Sequence, residues 1–108
     1  MATAYKVLGQ SNPAAATDTT LYTVPALTET VVSTISIANL GTTGTFRIAI
    51  RPAGAGIANQ HYLVYEATLN ANDSITLTLG VTLATTDVIT VRASNTSFAF
   101  QAFGSEIA

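Results

Sequence analysis

The chain has 108 residues, no cysteine and a formal net charge of −2, and only 9% of its residues are charged, where a typical soluble domain carries about 25%. Four Lys and Arg against six Asp and Glu leave no basic surface, so we expect no nucleic-acid partner. The absence of cysteine excludes disulfides and thiolate metal sites. Residues 1–10 lack the features of a secretory signal and no apolar run is long enough to span a bilayer, so we expect no membrane association.

Apolar and polar residues alternate with a period of two along most of the chain, as is typical of β-strands. The stripe of Ile75, Leu77 and Leu79 is the clearest example. The segment 60–68 has apolar residues on both faces, so we expect that strand to be buried on both sides. The pattern predicts about eight strands, roughly at 4–9, 20–25, 29–39, 44–51, 60–68, 73–80, 86–94 and 97–104.

Turn residues separate these strands at intervals that are typical of an all-β sandwich or barrel. Pro25 should end the second strand because proline cannot donate to a ladder. The segment 52–60, which contains Gly54 and Gly56, is predicted to be a flexible loop with at most one helical turn. We therefore expect one domain over residues 1–108, an all-β, two-sheet antiparallel sandwich that is jelly-roll-like. The alternation of apolar and polar residues does not determine the order of the strands in the sheets. An Ig-like strand order and closure into a barrel are therefore alternatives to the jelly roll.

The chain contains few of the residue types that catalysis requires. His61 is the sole histidine, so neither a histidine metal cage nor a Ser-His-Asp arrangement is favoured. Asp73 and Asp87 each follow a short loop, where a carboxylate normally accepts local backbone N–H groups, although a calcium site is the alternative. Glu66 is expected to form a cross-strand ion pair with an arginine. We expect no enzyme activity, no catalytic residue, no cofactor and no metal.

The low charge also predicts self-association. Few charges are present to keep copies apart or to protect sheet edges, so much of the surface should be covered by other subunits. The segments 1–19 and 104–108 are weakly patterned and are candidates for interface arms, and we expect deletion of residues 1–12 to weaken association without unfolding the domain. The residues that we expect at interfaces are Tyr5, Leu8, Leu40, His61, Tyr62, Phe103 and Ile107.

Several segments resemble small β-sandwich structural proteins of tailed bacteriophages, most of all those that infect cyanobacteria and other aquatic bacteria. The resemblance covers nearly the whole chain. The segments that carry it are Leu21–Pro25, Glu29–Asn39, Phe46–Ile50, His61–Leu63, Asn72–Ser74, Leu79–Gly80, Thr86–Val91 and Phe103–Glu106.

The resemblance implies a non-enzymatic virion part that self-associates around a symmetry axis, with a homotrimer favoured. A capsid decoration or cement protein that contacts the major capsid protein is the leading interpretation, and the implied location is the virion, assembled in the host cytoplasm. The alternative is a tail or fibre component in contact with other tail proteins. In that case the chain could be a module that binds a receptor or a glycan through loops 40–44, 52–60 and 94–97.

Overall fold

The computed structural model describes residues 3–108, which form nine β-strands. Their bounds are β1 (Thr3–Ser11), β2 (Thr19–Thr23), β3 (Glu29–Asn39), β4 (Gly44–Arg51), β5 (Tyr62–Leu69), β6 (Ser74–Leu77), β7 (Val81–Leu83), β8 (Val88–Ala93) and β9 (Phe98–Ile107). Two 3₁₀ turns, Pro52–Gly54 and Asn59–His61, lie between β4 and β5. The prediction of an all-β antiparallel sandwich is confirmed. Within the described residues, no helix is long and apolar enough to cross a bilayer.

The strand order is that of a jelly roll. One sheet has the order β1-β9-β3-β6, and the other has the order β2-β8-β4-β5. Strand β7 also pairs with β3, next to the stretch that β6 contacts, so β6 and β7 act as one interrupted edge strand. Counted in that way, the eight strands divide between two antiparallel sheets as in a jelly roll.

The core lies between the two sheets and is dominated by three phenylalanines at one end of the sandwich. Phe98 and Phe100 extend inward from β9 and Phe46 extends inward from β4, all three fully buried. Their ring centroids are 6.1 to 6.3 Å apart, within the range for favourable aromatic pairs. Aliphatic residues from both sheets complete this core: Val24, Val32, Ile35, Ile37, Ile48, Leu83, Ile89 and Val91.

Bulges bend the first sheet around strand β9. The register between β1 and β9 shifts at Leu8, and the register between β3 and β9 shifts at Ser33. The extra residue lies in the strand next to β9 each time, so β9 itself alternates without interruption. Its even-numbered residues from Phe98 to Glu106 face the core, and its odd-numbered residues from Ala99 to Ile107 face outward.

Two strand predictions fail where the backbone departs from period two. The segment 73–80 does not form one strand, because it leaves the ladder after Leu77 and resumes pairing at Val81, with Gly80 at φ +62 between them. Strand β5 is not buried on both sides, because it is the edge of the second sheet. Leu63 and Tyr65 on this strand are both exposed.

The segments expected to be arms belong largely to the first sheet. Residues 3–11 form β1 and pair with β9, and residues 104–107 continue β9 between β1 and β3. The first two residues of the expected arm 1–19 lie outside the described residues. Residues 3–11 and 104–107 are therefore strand residues of the sandwich and not free arms. Removal of residues 1–12 would take away an edge strand and the core contact of Leu8, so we expect it to destabilise the fold.

Gly104 is required because strands β9 and β3 approach closely. A Cβ atom at this position would lie 2.0 Å from the carbonyl oxygen of Val31, which is backbone and cannot rotate away. We predict that Gly104→Ala lowers the free energy of unfolding by about 2 kcal/mol or more, measured by urea denaturation. Gly56→Ala is the matched control, because a Cβ there has no neighbour within 4 Å. Equal stabilities of the two variants would contradict this packing.

Candidate interaction surfaces

The outer face of the first sheet carries exposed apolar side chains, which we call the apolar patch. Three of the strands in this sheet contribute to it through their outward-facing residues. Tyr5 is 86% exposed and Val7 is 48% exposed, while Phe103 is half-buried. The patch consists of Tyr5, Val7, Val31, Phe103 and Ile107. Side chains this apolar on an open sheet face favour contact with a partner surface.

The apolar patch surrounds a shallow groove of about 470 Å³ that Ser33 and Ser105 also line. Among residues 3–108, the one acidic side chain that strands β1, β3 and β9 direct outward within this sheet is Glu29, at the rim. The half-exposed side chain of Lys6 also lines the groove. A four-stranded face of this length covers roughly 700 Å². A specific interface buries about 800 Å² per partner, so this face has the area that one such interface needs.

Directly beneath the apolar patch, the inward side of the sheet carries a polar network. The Tyr22 hydroxyl donates to a carboxylate oxygen of Glu106 and, because its one hydrogen is used there, accepts from the Thr30 hydroxyl at 2.8 Å. The Lys6 ammonium lies 2.9 Å from the other Glu106 oxygen. Glu106 is thereby directed toward β2, which leaves its neighbour Ile107 on the outer face.

This network shifts two acid–base equilibria. Burial, together with the Glu106 carboxylate, raises the pKa of Tyr22 to about 12. The hydrogen bond from Tyr22, followed by the contact with Lys6, lowers the pKa of Glu106 below its usual range. At neutral pH, Glu106 is therefore ionised and Tyr22 is protonated, which is the state that these hydrogen bonds require.

The outer face of the second sheet carries a different group of side chains, which we call the tyrosine site: Asn59, Tyr62 and Tyr65. The two tyrosine rings meet edge to face, with centroids 4.9 Å apart. Together with Asn59 they line a hollow of about 350 Å³. The Arg47 guanidinium lies 4.4 Å from the centroid of the Tyr65 ring, and it donates to Glu66 at 2.8 Å.

Backbone irregularity brings the two tyrosines together. Residues three apart in a regular strand point to opposite faces. Strand β5, however, shifts register against β4 on both sides of the Ile48–Val64 pair, and Glu66 has a positive φ of 54°. Tyr62 and Tyr65 therefore share one face. A regular period of two places Tyr62 and Tyr65 on opposite faces of the strand, so the sequence pattern does not indicate that they meet.

The loop between β4 and β5 is held to the second sheet by side chains at three points. Arg51 donates to the carbonyl oxygens of Gly54 and Ala55, at 3.0 and 2.7 Å. Asp87 accepts from the backbone N–H of Ala53 at 2.9 Å. The His61 Nδ1 accepts from the Ala58 N–H at 3.0 Å, across the turn that presents Asn59. The segment predicted to hold at most one helical turn therefore contains two 3₁₀ turns, Pro52–Gly54 and Asn59–His61, and its backbone forms specific hydrogen bonds with side chains.

The seven predicted interface residues are divided among four places. Tyr5, Phe103 and Ile107 share the apolar patch. Leu8 packs against the core, and Leu40 is exposed in the loop after β3, at the far end of the sheet from Ile107. His61 and Tyr62 lie on the second sheet.

Val7 and Val31 belong to the apolar patch, and sequence analysis missed both. The adjacent pair Val31–Val32 carried the signal, since one of two adjacent strand residues must face outward. Val32 is fully buried and Val31 is 36% exposed.

Three further carboxylates, those of Asp73, Asp87 and Glu66, bind the backbone or an arginine. Asp87 accepts from the Ala84 N–H at 2.9 Å as well as from the β4–β5 loop, and Asp73 accepts from the Ser74 N–H at 2.8 Å. The predicted partner type of Glu66 is confirmed, because it pairs with Arg47, whose guanidinium lowers the pKa of that carboxyl. Within residues 3–108, no three acidic or histidine side chains cluster as a metal site would require.

No protein-family model, curated protein or solved structure matches this chain. The likeness to phage virion proteins stays a prediction.

The Glu106 network predicts a stability that depends on acid pH. Because folding lowers the pKa of Glu106, its contribution is fully present above the unfolded value of about 4.3 and is lost as pH falls through the folded value. Tyr22→Phe removes the hydroxyl that donates to this carboxylate, so we expect it to cost about 1–2 kcal/mol at pH 7 and less near pH 3. Urea denaturation at both pH values measures the difference. Tyr65→Phe is the control, and a Tyr22→Phe cost that does not change with pH would contradict this role.

Proposed function

We propose that this protein is a non-enzymatic structural subunit of a bacteriophage particle, a capsid decoration or cement protein that associates in several copies. The apolar patch is the observation that carries the proposal. A sheet face with exposed Tyr5 and Val7 gains free energy when a partner removes it from water. Lys6 also lines the groove within this patch, where its side chain is 49% exposed, and its charge is paired with Glu106 at 2.9 Å.

The fold is consistent with this role without proving it. Jelly rolls occur in viral capsid proteins and also in lectins and cupins, so function has to be argued from surfaces. The chain contributes a rigid sandwich, and the apolar patch supplies a face that lattice neighbours can cover. A protein that bridges neighbouring capsid subunits would stabilise the shell, because it adds buried surface area between those subunits. The partners in this proposal are further copies of the chain, with a trimer favoured, and the major capsid protein.

Self-association is tested by the solution mass, measured by light scattering during size exclusion. We predict a trimer or a larger ring for the unmodified protein. The double variant Tyr5→Lys/Val7→Lys should be a monomer, because it places two positive charges on the apolar patch. Tyr65→Lys adds a charge to the opposite sheet and should keep the mass of the unmodified protein. A monomeric unmodified protein at high concentration would contradict association through this face, as would a double variant of unchanged mass.

The place on the particle is tested by electron microscopy with an antibody against the purified protein, applied to phage particles produced by the host that carries the gene. Label spread evenly over the shell is the result expected for a decoration protein. Label confined to the tail or to one vertex would contradict a decoration role and would favour the interpretation as a tail component. Particles without label would overturn the virion assignment itself.

A further inference from the structure

We propose that the tyrosine site binds a neutral carbohydrate. The site lies on the second sheet, away from the apolar patch, so the inference does not depend on the proposed function. Its volume of about 350 Å³ falls at the lower end of the range for ligand pockets, about 300–1,000 Å³, which suits one or two sugar rings.

The aromatic surface supplies the stacking face. Sugar rings present a face of C–H groups that packs on an aromatic ring, while their hydroxyls point outward from the ring edge. Arg47 lies over one face of Tyr65, yet 59% of that residue remains exposed. The edge-to-face contact with Tyr62 fixes the orientation of the exposed ring. A ligand therefore meets a rigid apolar surface rather than a mobile side chain.

Polar groups around this surface match hydroxyls. The Asn59 amide is exposed and makes no side-chain hydrogen bond within residues 3–108, so both its donor and acceptor are free. The tyrosine hydroxyls and the Glu66 carboxylate border the same face. The hydrogen bonds of Arg51, Asp87 and His61 already hold the loop that presents Asn59. The loop is therefore already ordered before a ligand binds. Binding then costs little conformational entropy, which favours affinity.

Charge selects a neutral ligand over an anionic one. Arg47 is paired with Glu66, and Arg92 lies 3.5 Å from Asp18. Arg51 donates to the loop carbonyls and to Thr90. Every arginine on this face of the described chain thus has a partner, and an acidic sugar would have to break an ion pair of Arg47 or Arg92, or the hydrogen bonds of Arg51, to gain one.

The test is saturation-transfer NMR on the purified full chain with maltotriose, cellotriose and triacetylchitotriose, and with sialyllactose as the anionic probe. We expect at least one neutral trisaccharide to receive saturation, and its Kd is then measured by chemical-shift titration. Tyr65→Ala should raise that Kd at least about tenfold, because the stacking face is lost. Tyr65→Phe keeps the ring and should bind close to the unmodified level.

Tyr5→Ala is the matched control, because it removes an exposed tyrosine from the opposite sheet and should leave the Kd unchanged. Thermal unfolding of each variant checks that the exposed substitutions leave the fold intact. The proposal is overturned if no neutral probe receives saturation, if sialyllactose binds more tightly than all of them, or if Tyr5→Ala weakens binding as much as Tyr65→Ala. A Tyr5→Lys/Val7→Lys variant of unchanged mass would contradict the proposed function and would leave this binding result unaffected, so the two proposals fail separately.

Discussion

Strand β9 alternates without interruption between two bulged neighbours, and the rest of the molecule is arranged around it. Its inward residues decrease in size from Phe98 and Phe100 to Ala102 and Gly104. At Gly104 the neighbouring strand β3 of the same sheet comes so close that a Cβ atom would meet the carbonyl oxygen of Val31. Because β9 alternates, Phe103 beside this glycine faces outward, where it belongs to the apolar patch.

The few charges of the chain are distributed unequally between the two sheets. The three arginines lie on the outer side of the second sheet, where each holds a carboxylate or a backbone carbonyl. The fourth cation, Lys6, pairs with Glu106 at the inner edge of the first sheet. The outer face of the first sheet therefore carries mainly apolar, hydroxyl and amide side chains, with Glu29 at its rim. A protein with one mainly apolar face and one face of paired charges can associate through the apolar face, while the charged face remains accessible to solvent.

Much of the fold could be read from the sequence because period two and turn chemistry are local properties. The segments 29–39 and 44–51 were predicted with the bounds that the structure has. The pairing of Glu66 with an arginine and the backbone contacts of Asp73 and Asp87 follow from residue type and position. Tyr5, Phe103 and Ile107 were predicted at an interface, and they do share one face of a sheet. Their assignment to an interface between molecules is the part that the mass measurement has to decide.

The sequence by itself determined the all-β class and the alternation that separates core from surface, since both depend on the order of neighbouring residues. The tertiary structure alone decided the strand order, because pairing between β1 and β9 joins residues almost a chain length apart. It also decided the two candidate surfaces. A bulge inserts one residue and reverses every side chain beyond it, so the meeting of Tyr62 with Tyr65 and the inward turn of Leu8 depend on backbone geometry that no periodic pattern contains.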